Sequence, residues 1–377
     1  MHEVLKHKRM GHKVIISGGG TGGHVFPAIA IANALRRMEP DVEILFVGAN
    51  GRMEMDRVPE AGYKIVGLDI QGIDRNSLLN NLALPFKLIN SLIKARKTIK
   101  EFGADVAVGV GGFASGPLLM AANNMGMPTL IQEQNSYAGI TNKLLGKKAQ
   151  KICVAYEGMD AFFPAEKIML TGNPIRRDSV AITGKREFAL QVFGLQPHKK
   201  TILIIGGSLG AKQMNGYVLD VIHELGEKED VQFIWQTGKR YYEHMQEILD
   251  MSKVIPGNVK AVPFLERMDL AYAAADLIIS RAGAGTISEL CVVGKPVILV
   301  PSPNVAEDHQ TKNAKALVAK EAAVMISEAD AKHTMMHVAL ALLADEAKCA
   351  SLSTEIEKMA KPDADETIAR EILKMIK

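Results

Sequence analysis

Cysteine is scarce in this chain. Its 377 residues include three, Cys153, Cys291 and Cys349, far apart and with no C-x-x-C pair among them. That excludes a disulfide framework and a cysteine-based zinc site, and it suits a reducing cytosol. Excess charge is lacking too: a formal net charge of +3 is too small to suggest nucleic acid as a partner. No run of 18 apolar residues occurs, so no membrane-spanning helix is expected. Met1 to Lys13 is basic, but only Val14 to Ile16 follows as an apolar run before glycines begin. That is too short for a secretory signal. The remainder is ordinary for a globular protein, 47% hydrophobic and 23% charged, with length for two or three domains of about 150 residues.

What the chain does have is glycine in clusters. Ser17-Gly18-Gly19-Gly20-Thr21-Gly22-Gly23-His24 stands between the apolar run Val14-Ile15-Ile16 and an Ala/Ile-rich run, Ala28 to Leu35. That order reads strand, tight turn, helix. Such a turn suits a negative group, because the first-turn amides of the helix lie at the positive end of its dipole. His24 inside it is the first candidate for chemistry. Gly18, Gly20 and Gly23 satisfy G-x-G-x-x-G, but a dinucleotide site needs an acidic residue at the end of the next strand to hold a ribose. Val42 to Val47 is followed by Gly48-Ala49-Asn50, with Glu54 arriving only inside a helical pattern. Nicotinamide or flavin binding is therefore disfavoured. A bare strand-to-helix turn is disfavoured as well, since five glycines exceed what a turn needs.

Short apolar runs then alternate with helical patterns. Lys64-Ile65-Val66, Ala104 to Val110, Pro128 to Ile131 and Lys151 to Val154 read as strands. A second glycine turn, Gly111 to Pro117, follows one of them, and Gln132-Glu133-Gln134-Asn135 another. Strands separated by helices imply a parallel sheet covered on both faces, whose ligands gather at the carboxyl ends of the strands. His24, Glu133 and Asn135 all fall at such ends. Residues 76–102 differ: Leu79, Leu82, Leu84 and Phe86 are interrupted by Asn, Pro and Lys, and Lys94, Arg96, Lys97 and Lys100 follow. Two readings stand, a lipid-facing patch beside basic charge or a buried helix with a solvated basic face.

The pattern restarts after the loop Thr171 to Arg177. Thr201 to Ile205 is a strand and Gly206 to Ala211 a third glycine turn; Val231 to Trp235, Val259 to Phe264, Leu277 to Ile279 and Pro296 to Val300 are further strands. Two halves, each opening with strand, glycine turn and helix, suggest two doubly wound α/β domains facing each other. Ser280 to Leu290 leaves room for a phosphate on backbone amides, and Glu289 is expected in the first helical turn, either near a ribose or as a dipole partner. Asp308-His309 is not read as a hydrolytic dyad, because neighbours on a helix do not face one site.

These segments resemble the MurG family of peptidoglycan glycosyltransferases. The match runs through Gly18 to Pro27, Arg52-Met53-Glu54, Gly111 to Pro117, Glu133-Gln134-Asn135, Gly172 to Arg176, Gly206 to Ala211, Arg281 to Glu289 and Asp308 to Asn313. The resemblance implies a GT-B fold, two Rossmann-like domains facing across a cleft. Residues 1–172 with about 357–377 would form the acceptor and membrane-binding domain, and 173–356 the UDP-sugar-binding domain. It implies inverting transfer of N-acetylglucosamine from UDP-N-acetylglucosamine to lipid I, giving lipid II in peptidoglycan synthesis. It also implies work at the cytoplasmic face of the inner membrane, a possible cell-wall synthesis complex, and no nucleic acid.

Carried over by position, Thr21, Gly22, Gly23 and Asn135 match sugar-side residues, and Arg176 and Ser208 match groups near the diphosphate. Leu265 matches the residue whose backbone meets uracil. Ala284, Gly285, Thr286, Ile287, Ser288 and Glu289 match the phosphate-and-ribose loop, and Gln310 a sugar contact. The family often has Tyr at the place of Phe113 and His at that of Gln132, so no hydroxyl or imidazole is offered there. His24 is the expected general base, its cationic form disfavoured at a helix N-terminus, with Glu133 as the alternative base. No cofactor or metal is expected: the one Asp-x-Asp match, Asp363-Ala364-Asp365, reads as a helix cap. A UDP-sugar epimerase on a similar scaffold is the competing function, and a nicotinamide oxidoreductase a more remote one.

Overall fold

The computed structural model describes residues 11–72, 84–207, 209–251 and 257–376. The chain divides into two compact units, Met1–Ile175 with Asp363–Lys377, and Arg176–Pro362.

In the first unit the strands are β1 (Lys13–Ser17), β2 (Glu43–Ala49), β3 (Lys64–Leu68), β4 (Val106–Gly109), β5 (Thr129–Glu133), β6 (Lys151–Val154) and β7 (Ile168–Leu170). They form one parallel sheet in the order β3-β2-β1-β4-β5-β6-β7. Val14, Ile15 and Ile16 are fully buried. A strand covered on both faces reads as an unbroken apolar run rather than an alternation. Chain order reverses between β1 and β4, so the carboxyl ends of these two strands bound the crevice where such sheets bind ligands.

The second unit repeats the plan with β8 (Lys200–Ile205), β9 (Val231–Gln236), β10 (Val259–Val262), β11 (Leu277–Ser280), β12 (Val297–Leu299) and β13 (Val324–Met325), all parallel, in the order β10-β9-β8-β11-β12-β13. Its reversal lies between β8 and β11. The short strands β7 and β13 escaped the sequence reading, and β10 stops before Phe264.

The boundary falls after Ile175 rather than after Gly172. Asn173 explains the difference: its side chain accepts from Gln132 Nε2 (2.8 Å) and donates to the Gln134 carbonyl (3.0 Å), which holds it to the first sheet. The return crossing begins at Asp363 rather than near Glu357. Helix Glu346–Glu357 stays with the second unit, where Leu352 joins the core. Helix Ala364–Met375 then completes the first unit, burying Ile368, Ala369 and Ile372 with Val25, Ile31 and Leu35. Of the Asp-x-Asp match, Asp363 stands at the N-cap position of this helix, and Asp365 is a buried carboxylate paired with Arg37 at 2.6 Å.

Candidate functional site

The glycine turn after β1 is held from below. The Gly20 amide donates to Glu54 Oε2 (2.8 Å) and the Ala49 amide to Glu54 Oε1 (3.0 Å), with the Glu54 carboxylate fully buried. Any side chain at Gly19 would collide with that carboxylate, so the glycine is there to admit it. The Gly19 amide donates to the Gly111 carbonyl (3.2 Å), locking the first glycine turn to the second. Part of the turn's capacity for a negative group is thus used internally, while the first-turn amides of helix Gly22–Met38 take no part in these two bonds. Two of its amides are already engaged, and the negative group it holds is the protein's own.

His24 is the third residue of helix Gly22–Met38 and is half-buried. Its Nδ1 lies 3.0 Å from the Gly19 carbonyl and 3.3 Å from Thr21 Oγ1. A carbonyl only accepts, so Nδ1 carries the proton, and in the neutral ring Nε2 holds the lone pair. A side chain at Gly111 would meet Cδ2 and Nε2 of the ring. Thr21 occupies the N-cap position without capping the helix. Gly22 and Gly23 open the first turn, and Phe113 stands beside Gly20 with Arg52 over its ring.

Glu133, the alternative base, is engaged within its own loop. It is buried, Oε1 accepts from the Asn135 amide (3.1 Å) and Nδ2 (3.4 Å), and Oε2 accepts from the Gly139 amide (3.1 Å) and Asn142 Nδ2 (2.8 Å). Four donors satisfy a carboxylate; Glu133 shapes the loop that carries Asn135. Gln132 is likewise buried and bonded to Asn173, so a substrate role at that position is not available to it.

In the second unit, helix Ala284–Val293 starts at the carboxyl end of β11, beside β8. Gly283 is its N-cap, and the first intrahelical bond runs from the Ile287 amide to the Gly283 carbonyl (2.9 Å). The amides of Ala284, Gly285 and Thr286 therefore point out of the positive end of the helix, an arrangement that suits phosphate. Two further members of this expected loop are held within the helix. Ile287 is buried with its amide used inside the helix, and Ser288 Oγ turns back to the Ala284 carbonyl (3.0 Å).

Glu289 is also displaced from expectation. With the helix starting at Ala284, it sits in the second turn, so it is neither cap nor dipole partner. Tyr272 donates to Glu289 Oε2 (3.1 Å), and Ser179 Oγ lies 3.1 Å from Oε1 and 2.7 Å from the Arg176 carbonyl. Burial pushes the Glu289 carboxyl above its ordinary pKa, with the nearby Arg176 charge opposing. Four lone-pair directions leave such a carboxylate able to accept hydroxyls from a ligand as well. Neither Tyr272 nor Ser179 was singled out from sequence, and no local signal marks them.

The remaining expected residues spread along the same rim. Leu265 follows β10 with its side chain buried, which leaves its backbone as the part able to meet a base. Gln310 opens helix His309–Val318, its Oε1 accepting from the Ser302 amide (2.8 Å). Glu307 (φ 56°) and Asp308 (φ 51°) lead into that helix in the left-handed region, and Asp308 accepts from Thr311 Oγ1 (2.6 Å) rather than pairing with His309. Ser208 lies outside the described residues. The third glycine turn is closed by Gln236, which accepts from the Gly206 amide (3.3 Å) and donates to the Gly207 carbonyl (3.0 Å).

Comparison with known proteins follows this division. Residues 14–154 match the glycosyltransferase family 28 N-terminal domain and residues 201–368 its C-terminal domain. The UDP-N-acetylglucosamine--N-acetylmuramyl-(pentapeptide) pyrophosphoryl-undecaprenol N-acetylglucosamine transferase of Parabacteroides distasonis is 57% identical over 365 residues, 97% of this chain and 98% of that protein. The crystal structure of Acinetobacter baumannii MurG is similar with a TM-score of 0.78 at 30% identity, covering 97% of this chain and 99% of that one. The UDP-GlcNAc 2-epimerase of Neisseria meningitidis, bound to UDP-GlcNAc, gives a TM-score of 0.67 at 17% identity, covering 96% and 100%, and shares the fold alone. Matched in both of its units, the chain belongs to glycosyltransferase family 28.

Proposed function

We propose that the chain is an inverting glycosyltransferase that moves N-acetylglucosamine from UDP-N-acetylglucosamine to lipid I, undecaprenyl-pyrophosphoryl-N-acetylmuramoyl pentapeptide, to give lipid II. The observation that carries this reading is 57% identity, over 97% of the chain, to a transferase of that name. The epimerase alternative rests on a likeness at 17% identity, which speaks only to fold.

The site chemistry supports the reading. Transfer with inversion needs a base for the acceptor hydroxyl and relief of charge on departing UDP. His24 Nε2 takes the hydroxyl proton while that oxygen attacks the anomeric carbon from the face opposite UDP. The new bond to the anomeric carbon forms as its bond to the diphosphate oxygen breaks, and the electron pair leaves with UDP. The charge is met by Arg176 and the first-turn amides of Ala284, Gly285 and Thr286, while Glu289 accepts from the ribose hydroxyls. This scheme asks for no metal. Asp365 of the one Asp-x-Asp match is engaged with Arg37.

The acceptor's polyprenyl chain keeps it in a bilayer, and among the described residues no helix is long and apolar enough to cross one. Helix Leu84–Phe102 supports peripheral attachment at a cytoplasmic membrane face. It buries Ser91, Ala95, Thr98 and Ile99, while Phe86, Ile89 and Ile93 are 72%, 54% and 64% exposed. At about 100° per residue, Arg96, Lys97 and Lys100 project on that same outer side. Apolar side chains and basic charge thus share the outer side of the helix, where the first can enter an anionic bilayer surface and the second is attracted to it. Leu84 is half-buried, and Leu79 and Leu82 lie outside the described residues. The test of function is incubation with radiolabelled UDP-N-acetylglucosamine and a lipid I analogue. Label in the lipid product supports transfer; release of free sugar or of a 2-epimer without lipid product overturns it.

A further inference from the structure

We infer that Glu54 is a positioning residue for His24, acting through the Gly19–Gly20 peptide. The inference rests on His24 being the base of the reaction just proposed. One peptide plane joins the two side chains: its N–H, on Gly20, donates to Glu54 Oε2 (2.8 Å), and its C=O, on Gly19, accepts from His24 Nδ1 (3.0 Å). A carboxylate at one end of a peptide group polarises it and makes the carbonyl at the other end a stronger acceptor. The stronger acceptor holds the proton on Nδ1 and fixes the ring's direction, leaving Nε2 as the basic nitrogen. A buried carboxylate does this for histidine directly in hydrolytic triads; here a peptide group stands between them.

The surroundings are built for this link. Glu54 is 1% exposed, and its second oxygen accepts from the Ala49 amide (3.0 Å) at the end of β2, so the carboxylate is fixed in two directions. Gly19 and Gly48 lack the side chains that would collide with it. The Gly19 amide is tied to the Gly111 carbonyl (3.2 Å), which holds the other end of the same residue. A glycine turn left to itself samples many conformations; this one is clamped at consecutive residues, with the clamped peptide touching the imidazole.

The first test needs no variant. In protein labelled with ¹⁵N-histidine, the His24 resonances, identified by their loss in His24→Ala, are expected to show a protonated Nδ1 and an unprotonated Nε2 at neutral pH. An Nε2–H tautomer overturns the inference. The second test is Glu54→Gln. The amide has one acceptor oxygen for two backbone donors and sets an N–H group against one of them. Its kcat is expected to fall about 10- to 100-fold, the span seen when a metal-bound histidine loses the partner that orients it, with KM for UDP-N-acetylglucosamine unchanged and the two tautomers mixed. In the His24→Ala background the same change is expected to cost nothing further; an equal fall in both backgrounds assigns Glu54 a purely structural role. An unchanged kcat in His24→Ala removes the base assignment, and this inference with it. A large loss in His24→Ala, with neither kcat nor tautomer altered in Glu54→Gln, removes this inference alone.

Discussion

The Tyr272 hydroxyl donates to Glu289 Oε2 across 3.1 Å, from a ring with no solvent exposure. The pairing keeps the carboxylate turned to one side and ties helix Ala284–Val293 to helix Met268–Ala274. Glu289→Ala is expected to weaken UDP binding by about 1–3 kcal/mol, the worth of a hydrogen bond to a charged group, and calorimetry with UDP measures it. Unchanged affinity would remove Glu289 from the ribose.

The same site has a pH signature. Burial raises the Glu289 pKa, and only the ionised form accepts two hydroxyls. UDP affinity should be full above that raised value and fall as pH drops through it. The decline begins at higher pH than for an ordinary Glu, near 4.3. Tyr272→Phe deletes a donor to the carboxylate, so the midpoint should move to still higher pH. A midpoint that stays in place would mean the hydroxyl does not stabilise the charge.

Replacing His24 with alanine is expected to lower kcat by about 10²–10⁴-fold, the usual range for loss of a general base, with UDP affinity nearly kept. Activity in excess chelator should match activity without it, because the proposed scheme assigns the leaving charge to Arg176 and helix amides. A loss in chelator that Mg²⁺ or Mn²⁺ restores would overturn that assignment.

Phe86→Asp with Ile93→Asp is expected to abolish co-sedimentation with anionic vesicles while leaving transfer to a short-chain, water-soluble acceptor intact. Both positions are more than half exposed, so the fold should tolerate the change. Vesicle binding equal to that of the native chain would refute the lipid-facing reading of this helix.

Asp269 lies between Arg267, which donates from Nε (2.9 Å) and a terminal nitrogen (2.8 Å), and Lys185 (2.7 Å). The hydrogen bonds from Arg267 lead in holding its carboxyl well below the usual carboxylate range. A depressed folded-state pKa contributes stability above the unfolded value, about 3.9, that is lost as pH falls through the folded one. Asp269→Asn should therefore cost about 1–3 kcal/mol at neutral pH, reduced by the exposure of the two cations, and the difference should shrink in acid. The chain's one tryptophan, Trp235, is buried on β9 of this unit, so its fluorescence in urea titrations reports the relevant transition.

Much of the architecture was legible because buried parallel strands announce themselves. Val14 to Ile16 and Ile202 to Ile205 are unbroken apolar runs that lead into glycine turns, and each lies in a strand at the centre of its sheet beside the order reversal. His24 and the Ala284–Thr286 amides could be found for the same reason, following β1 and the apolar run Leu277 to Ile279 of β11 within a few residues. Glu54 could not. It follows β2 by a few residues, yet its partner is Gly20, and only the folding of the β2 turn back under the β1 turn brings them together. Glu133 was legible as a residue but not as a role, because its donors, Gly139 and Asn142, belong to a loop whose path no periodicity specifies. Glu289 was misplaced by one turn because glycines 283 and 285 allow a helix to begin at either.

Helix Ala364–Met375 is synthesised after the whole of the second unit, yet Ile368, Ala369 and Ile372 belong to the core of the first. During translation the first sheet must therefore wait, one helix short, while all of residues 176–362 emerge and fold. Its unfilled apolar groove stays open for that interval, at the stage when nascent chains aggregate or recruit chaperones. Released chains that end before Asp363 are expected to have a protected second unit and a protease-sensitive first one.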